Sequence, residues 1–342
     1  MKNVATRYLA IYRSLLRTQT YLLLLVYLAV GFVAGLLISG ASPSSINVIQ
    51  SIWQMVTCSI VVGLWYIHGT ALNDYADYEI DLINLKGDKD RPLVVGLATK
   101  RQLLYVSLVS ALAAIVLSCL LSWAHVIIIV ILLFLNISYS IKPLQISRRG
   151  GLAPLLLPLG YIGLPFFFGY ELSVTDWYKF SFVLLAAFYV QFIGRIILKD
   201  YRDVKGDKAH GKITFLLRYG NQAVCAVSAG SVIVSSGLLL TYARNFIGAF
   251  SYAIVCLAGF GLMILYKLSK SATWFEQKPL LGAFGRAMTG VTVAFIAAMV
   301  AVIWQLSAGA AAFIAIVLTA VYIWSAQEAY SFTHSAMLDK PV

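Results

Sequence analysis

The chain has 342 residues, of which 61% are hydrophobic and only 12% charged, and this composition excludes a soluble globular domain. The net charge of +12 would favour nucleic acid binding in a soluble chain. Here the cations lie between long apolar segments, so we predict a polytopic membrane protein and no nucleic acid partner.

Ten apolar segments are long enough to cross a bilayer as helices. They lie at about 20–41, 50–72, 102–122, 123–141, 153–171, 178–198, 221–241, 245–266, 284–304 and 308–327. The first segment is too long for a cleavable signal peptide and begins a series of spans, so we expect an inserted protein. The four cysteines all lie inside these segments without metal-binding spacing, and we interpret them as buried apolar residues.

The distribution of Lys and Arg predicts the orientation. If the spans alternate in direction, the basic residues of the amino terminus and of the loops at 73–101, 142–152, 199–219 and 267–286 share one side. The other side carries little more than Lys179 and Arg244. The positive-inside rule then places both termini and these loops in the cytoplasm.

Residues 1–19 form a basic segment ahead of the first span. We expect this segment to lie along the inner membrane face, attracted by anionic lipid. Arg17, at the mouth of the first span, is placed to contact a substrate anion.

The second span runs directly into an acidic stretch. Asn73, Asp77 and Asp81 are four residues apart and Asp74 lies three before Asp77, so on a helix these side chains share one face. Carboxylates that close repel each other unless a cation lies among them, most simply Mg²⁺. A solvated acidic helix end is the alternative.

Basic residues follow the acidic stretch within ten residues of Asp81. Lys86, Lys89 and Arg91 could contact phosphate oxygens while the carboxylates hold the metal, or they could form ordinary surface ion pairs. The fourth span ends in Tyr139, Ser140 and Lys142. These residue types suit phosphate contacts, but an interfacial tyrosine with a snorkelling lysine is an equal alternative.

The fifth span contains Pro158 and Pro165 together with several glycines. Proline kinks a membrane helix and glycine permits close packing, so this span either shapes a cavity or packs tightly against its neighbours.

The sixth span ends in a second acidic stretch on the same side of the membrane. Lys199 precedes Asp200, Asp203 and Asp207, whose spacing of i, i+3 and i+7 again corresponds to one helical face. Two acidic helix ends with interleaved cations are what binding a diphosphate through two bridged Mg²⁺ ions requires. Two merely solvated loops are the alternative.

These motifs resemble the signatures of the UbiA superfamily of intramembrane prenyltransferases. The first signature, Asn-Asp-x-x-Asp-x-x-x-Asp, is matched by Asn73, Asp74, Asp77 and Asp81, with the following Asp-Arg-Pro at 90–92. The second is matched by Lys199 and Asp200 through Asp203 to Asp207, and Tyr139, Ser140 and Lys142 are similar to the family's phosphate-contacting cluster. The resemblance covers about residues 15–305.

The resemblance implies an all-α membrane protein, a UbiA-type bundle of nine to ten transmembrane helices around a central cavity that opens to lipid. The family has nine such helices, so the segment near 308–327 is either an added helix or a miscount. We therefore expect a cytoplasmic basic segment at 1–19, a transmembrane prenyltransferase domain at 20–305, and an extra helix with a cytoplasmic tail at 306–342.

The resemblance also implies Mg²⁺-dependent transfer of an isoprenyl group from an allylic prenyl diphosphate to a lipophilic or aromatic acceptor, as in quinone, tetrapyrrole or related lipid biosynthesis. It implies catalytic roles for Asp74, Asp77, Asp81, Asp200, Asp203 and Asp207, and it implies that Mg²⁺ is bound by Asp77, Asp81, Asp200 and Asp207. It implies that the diphosphate is bound by Asn73, Lys86, Arg91, Tyr139, Ser140, Lys142 and Lys199. The residues at 139–144 and 163–165 are most similar to the chlorophyll synthase and quinone branches.

Two other activities fit some of the same features. A terpene cyclase of this fold would ionise the same diphosphate without an acceptor. A transporter would need polar groups at the bilayer midplane, where the spans of this chain have almost no acids.

Overall fold

The computed structural model describes residues 2–174, 180–242 and 248–338, and in these residues the chain is helical and contains no strand. The predicted all-α class is confirmed. Lys179 and Arg244, which entered the charge count, lie outside the described residues.

The helices follow one another along the whole described chain. They are α1 (Lys2–Leu16), α2 (Thr18–Ile38), α3 (Val48–Ala76), α4 (Tyr78–Asn84), α5 (Lys100–Ser118), α6 (Trp123–Ser140), α7 (Ala153–Pro158), α8 (Leu164–Glu171), α9 (Phe182–Ile196), α10 (Asp200–Ala209), α11 (Phe215–Tyr242), α12 (Gly248–Lys270), α13 (Trp274–Ile303) and α14 (Ala308–Leu338). Short 3₁₀ turns occur at Pro43–Ser45, Ile146–Arg148 and Ile197–Lys199. Gly220 breaks α11 with a φ of 79°, a conformation that glycine adopts readily.

Ten helical segments of the described chain are long and apolar enough to cross a membrane, and they correspond to the ten predicted spans. The chain is a multi-pass integral membrane protein.

The fifth span is not one continuous α-helix. α7 ends at Pro158, a π-helical turn occupies Leu159–Gly163, and α8 follows. Proline has no amide hydrogen to donate, and a π-turn widens the helix where the regular bonding is lost. At Gly160 a Cβ would lie 2.4 Å from Cζ2 of Trp65, so only glycine lets the backbone approach this indole ring.

The helices form two compact units. Unit 1 contains the residues up to Leu28, Asn47–Gly169 and Asp203–Leu217. In it α3 packs against α1, α5 and α6. Ile11 and Leu15 of α1 are fully buried in a cluster with apolar residues of α3 and α5. The apolar side of the amino-terminal segment is therefore covered by protein.

Unit 2 contains Ala29–Ile46, Tyr170–Arg202 and the chain from Arg218 onward. In it α13 packs against α9, α12 and α14. Small residues permit close approach, as at Gly290, where a Cβ would lie 2.8 Å from Cβ of Tyr322. Only 11% of the span in α14 is buried, so most side chains of the tenth predicted span face away from the protein.

Candidate active site

The first acidic stretch is helical with one interruption. α3 ends at Ala76 and α4 begins at Tyr78, and Asp77 between them has a φ of −100° and a ψ of 14°. The helical hydrogen bonds nevertheless continue, because the Asp77 amide donates to the Asn73 carbonyl and the Asp81 amide to the Asp77 carbonyl, each at 2.9 Å. The interruption makes Asp77 the residue before a new helix, a position where negative side chains are favourable.

The acidic side chains of this stretch are inside the protein. Asp74, Asp77 and Asp81 are only 2%, 5% and 6% exposed. Glu79, on the other side of α4, has a side chain that is 64% exposed and lies 4.0 Å from Lys100. A solvated acidic helix end would expose its carboxylates, so that alternative fails for the three aspartates.

Asp74 is paired with two arginines. Its Oδ1 lies 2.5 Å from Nη2 of Arg17 and also accepts a hydrogen bond from Nη1 of Arg91. Burial lowers the pKa of Arg17, but Asp74 and the hydroxyl groups of Tyr66 and Tyr161 raise this pKa by more. A buried charge is tolerated only when it is paired, and here one carboxylate holds two guanidinium groups in place.

Asp81 is the least compensated carboxylate of the first stretch. Nη1 of Arg91 lies 3.3 Å from its Oδ2. Burial raises the pKa of Asp81 to about 7; Arg91 opposes this shift, and the neighbouring carboxylates of Asp74, Asp77 and Asp203 add to it. Additional positive charge at this place would therefore stabilise the ionised form.

Lys212 joins the two acidic stretches. Its Nζ lies 3.1 Å from Oδ2 of Asp77 and 3.6 Å from Oδ1 of Asp207. Burial lowers the pKa of Lys212, but Asp77, Asp207 and the Tyr139 hydroxyl raise this pKa by more, so the ammonium form is favoured. Sequence reasoning missed Lys212, because it follows the second motif by five residues in a loop whose path is set by the fold.

A second link between the stretches is made by Asn84, also missed. Its Oδ1 accepts a hydrogen bond from the Gly206 amide at 2.6 Å, and its Nδ2 donates to the Asp203 carbonyl at 2.8 Å. A Cβ on Gly206 would lie 2.7 Å from the Ile80 carbonyl oxygen, so this close approach requires glycine. The end of α4 is thereby fixed against the part of α10 that belongs to unit 1.

The structure thus brings together most of the predicted acids within unit 1. Asn73 joins them through a hydrogen bond of 3.1 Å from its Nδ2 to Oδ2 of Asp77. Asp200 is buried at the first residue of α10, with exposed Lys199 just before it, and both belong to unit 2. α10 carries Asp200, Asp203 and Asp207 on one helix, as their spacing predicts.

The remaining predicted phosphate contacts differ in exposure. Lys86 and Lys142 are exposed, Tyr139 is half-buried and Ser140 is buried. The contacts assigned to these four side chains stay predictions.

An apolar pocket lies between α3, α6 and the π-helical part of the fifth span, all in unit 1. Its lining includes Trp65, Leu132, Asn136, Tyr139, Gly160 and Tyr161. The indole Nε1 of Trp65 donates to the Leu132 carbonyl at 3.3 Å, and the Tyr161 ring meets Trp65 edge-on at 6.0 Å. Tyr139 and Tyr161 also lie close enough to Lys212 and Arg17, respectively, to interact with them electrostatically.

The acids fit a hard divalent cation by their chemistry. Among the described residues no three acid, His or Cys side chains are arranged to hold a metal ion, and the carboxylates are paired with cations of the chain instead. Oδ2 of Asp74 and Oδ1 of Asp77 are nevertheless buried without a hydrogen-bond partner among the described residues. Such oxygens require a partner, and carboxylate oxygen is the ligand that Mg²⁺ prefers.

The sequence profile described as the UbiA prenyltransferase family matches residues 28–284. The chain belongs to the UbiA prenyltransferase family. The resemblance inferred from the acidic motifs is confirmed, and the prediction of a prenyl-transferring enzyme is confirmed at the level of the family.

The names of two UbiA relatives indicate different products. The digeranylgeranylglyceryl phosphate synthase of Methanosphaera stadtmanae is 30% identical over 50% of this chain and 59% of its own length. The bacteriochlorophyll synthase 33 kDa chain of Cereibacter sphaeroides is 24% identical over 73% of this chain and 80% of its own length. The aligned part thus spans between just over half and four fifths of these two relatives.

Solved UbiA structures have the same fold. A UbiA homolog from Archaeoglobus fulgidus bound to GPP and Mg²⁺ superposes with a TM-score of 0.63 at 18% identity, over 86% of this chain and 100% of that one. The predicted UbiA-type helical fold is therefore confirmed.

Proposed function

We propose that this UbiA protein transfers an isoprenyl group from an allylic prenyl diphosphate to a lipophilic acceptor in the membrane, with release of diphosphate and dependence on Mg²⁺. The observation that carries this proposal is the buried set Asp74, Asp77 and Asp81, paired with cations of the chain beside an apolar pocket. The names of the relatives and the GPP and Mg²⁺ in the Archaeoglobus homolog support it.

The residues that would hold Mg²⁺ are Asp77, Asp81, Asp200 and Asp207. When bound, the metal supplies positive charge against the departing diphosphate. Asp74 has another task, because it holds Arg17 and Arg91 in place. Asp203 would act on the electrostatics of Asp81 rather than on the substrate.

Cations of the chain would bind the diphosphate. Arg17 and Arg91 present planar guanidinium groups, which suit two-point contacts to phosphate oxygens. Their fixed positions mean that little conformational entropy is lost when the substrate binds. The further contacts are assigned to Asn73, Lys86, Tyr139, Ser140, Lys142 and Lys199.

The aromatic side chains that line the pocket would lie beside C1 of the isoprenyl group. Breaking the bond between C1 and the diphosphate oxygen leaves an allyl cation, and the diphosphate departs with the bonding electrons. The faces of Trp65, Tyr139 and Tyr161 can stabilise this cation by roughly 0.5–2 kcal/mol per contact. An electron pair of the acceptor then forms the new bond to C1, and the acceptor loses a proton, so no nucleophile of the protein is required.

The charge distribution supports a cytoplasmic position for the acidic stretches and both termini. The substrate would then enter with its diphosphate from the cytoplasmic side and its tail from the lipid.

The test is release of diphosphate by protein purified in detergent. Farnesyl, geranylgeranyl and longer allylic diphosphates are supplied with Mg²⁺ or with EDTA, each with and without glycerophosphate lipids, tetrapyrrole acids, quinone precursors and aromatic acids. We expect release that requires both metal and one acceptor class, and an alkylated acceptor as product.

The matched variants are Asp77→Asn and Glu79→Gln, which make the same chemical change two residues apart. The first should abolish release and the second should leave it near the wild-type rate. A hydrocarbon product without acceptor would identify a cyclase, and no release under any condition would refute the proposal.

A further inference from the structure

We propose that Lys212 binds the diphosphate by exchanging partners. Its ammonium group neutralises Asp77 and Asp207; when a divalent cation takes these carboxylates, Lys212 moves to the diphosphate oxygens. This inference rests on the proposed function and adds to it a substrate-binding residue that also limits metal affinity.

The position of Lys212 is the first support. Its Nζ lies within 4 Å of carboxylates from both acidic stretches, at 3.1 Å from Asp77 and 3.6 Å from Asp207, although Asp77 and Lys212 are 135 residues apart in the chain. Its side chain is only 13% exposed. The ammonium group therefore occupies the place where positive charge between these two carboxylates is most favourable.

Competition with a metal follows from the contacts of Asp77. Its Oδ2 already receives the Lys212 ammonium and the Asn73 amide, each at 3.1 Å. A divalent cation on the same carboxylate would repel the ammonium group at this distance. The two cations therefore compete for this carboxylate, and a lysine cannot serve as a metal ligand while it is protonated.

The backbone around Lys212 permits such a movement. The Lys212 amide donates to the Asp207 carbonyl at 2.9 Å, which anchors the main chain. The charged group is carried on a flexible four-carbon stem, so it can change partner while the backbone stays in place.

The chain offers a control for the charge. Lys208 lies at the end of α10, four residues before Lys212, and is exposed. Lys208→Met removes the same unit of charge from the same segment without touching the carboxylates. Lys212→Met removes the competing cation. Lys212→Gln also removes the charge but keeps a hydrogen-bond donor at this position, so it serves as the second variant if Lys212→Met does not fold.

The experiment measures two affinities on the full-length protein in detergent. Binding of Mn²⁺ alone is followed by electron paramagnetic resonance, and binding of geranylgeranyl diphosphate is measured at saturating Mg²⁺. For both Lys212 variants we expect Mn²⁺ to bind about tenfold more tightly, because tenfold corresponds to ~1.4 kcal/mol and a hydrogen bond to a charged group is worth about that much. The prenyl diphosphate should bind about tenfold more weakly.

These opposite shifts distinguish the proposal from a structural role. If Mn²⁺ binds with unchanged or lower affinity in both variants, Lys212 does not compete with the metal and the inference is wrong. If Lys208→Met produces the same shifts, they reflect general charge, and the inference is again wrong. If wild-type protein binds neither Mn²⁺ nor prenyl diphosphate, the proposed function fails first, and the inference fails with it.

Discussion

Replacing Asn84 by alanine should loosen the connection between the two acidic stretches. The Asn84 side chain makes two hydrogen bonds, to the Gly206 amide and to the Asp203 carbonyl. Each such bond contributes about 0.5–1.5 kcal/mol net, so Asn84→Ala should lower the free energy of unfolding by about 1–3 kcal/mol. Because Asp203 and Asp207 lie on the helix that Asn84 holds, activity should fall further than the lost stability alone would cause.

The assay combines thermal unfolding in detergent with Mg²⁺-dependent diphosphate release at a temperature where the variant remains folded. Gly206→Ala tests the same contact from the other side, since its Cβ would lie 2.6 Å from Nδ2 of Asn84. Glu79→Ala, an exposed change on α4 outside the assigned substrate contacts, is the control. If Asn84→Ala and Gly206→Ala both resemble Glu79→Ala in stability and activity, the two stretches are held together by other contacts and our reasoning is wrong.

Three further predictions concern the charges and the pocket. Asp77→Ala should lower prenyl transfer by roughly a hundredfold or more while Glu79→Ala leaves it nearly unchanged, and steady-state kinetics showing equal losses would contradict the assignment. Arg91→Met should lower the free energy of unfolding by about 3–5 kcal/mol, since it leaves the buried Asp81 carboxylate without its arginine; Arg17→Met should cost less, because Asp74 keeps Arg91, and chemical denaturation in detergent measures both. Gly160→Ala should displace the buried indole ring of the pocket, cost about 1–3 kcal/mol and raise KM for the prenyl diphosphate; an unchanged KM would show that the reacting end of the isoprenyl group lies elsewhere.

Much of this protein is determined by the sequence alone. Span length and hydropathy are local properties, because each membrane helix satisfies its own backbone hydrogen bonds, so ten segments could be counted without knowledge of their packing. The acidic face of Asn73, Asp77 and Asp81 is also local, since helical periodicity places residues four apart on one side. The interruption of the α-helix in the fifth span at Pro158 is local as well, because proline has no amide hydrogen to donate.

The tertiary structure alone decided which cations meet which acids. Arg17 is 57 residues from Asp74 and Lys212 is 135 residues from Asp77, and no periodicity connects such positions. In the sequence Lys86 resembles Lys212, yet Lys86 is exposed while Lys212 is held between two carboxylates. Pairing of charges depends on distance in space and on exclusion of water, and both arise only when the helices pack.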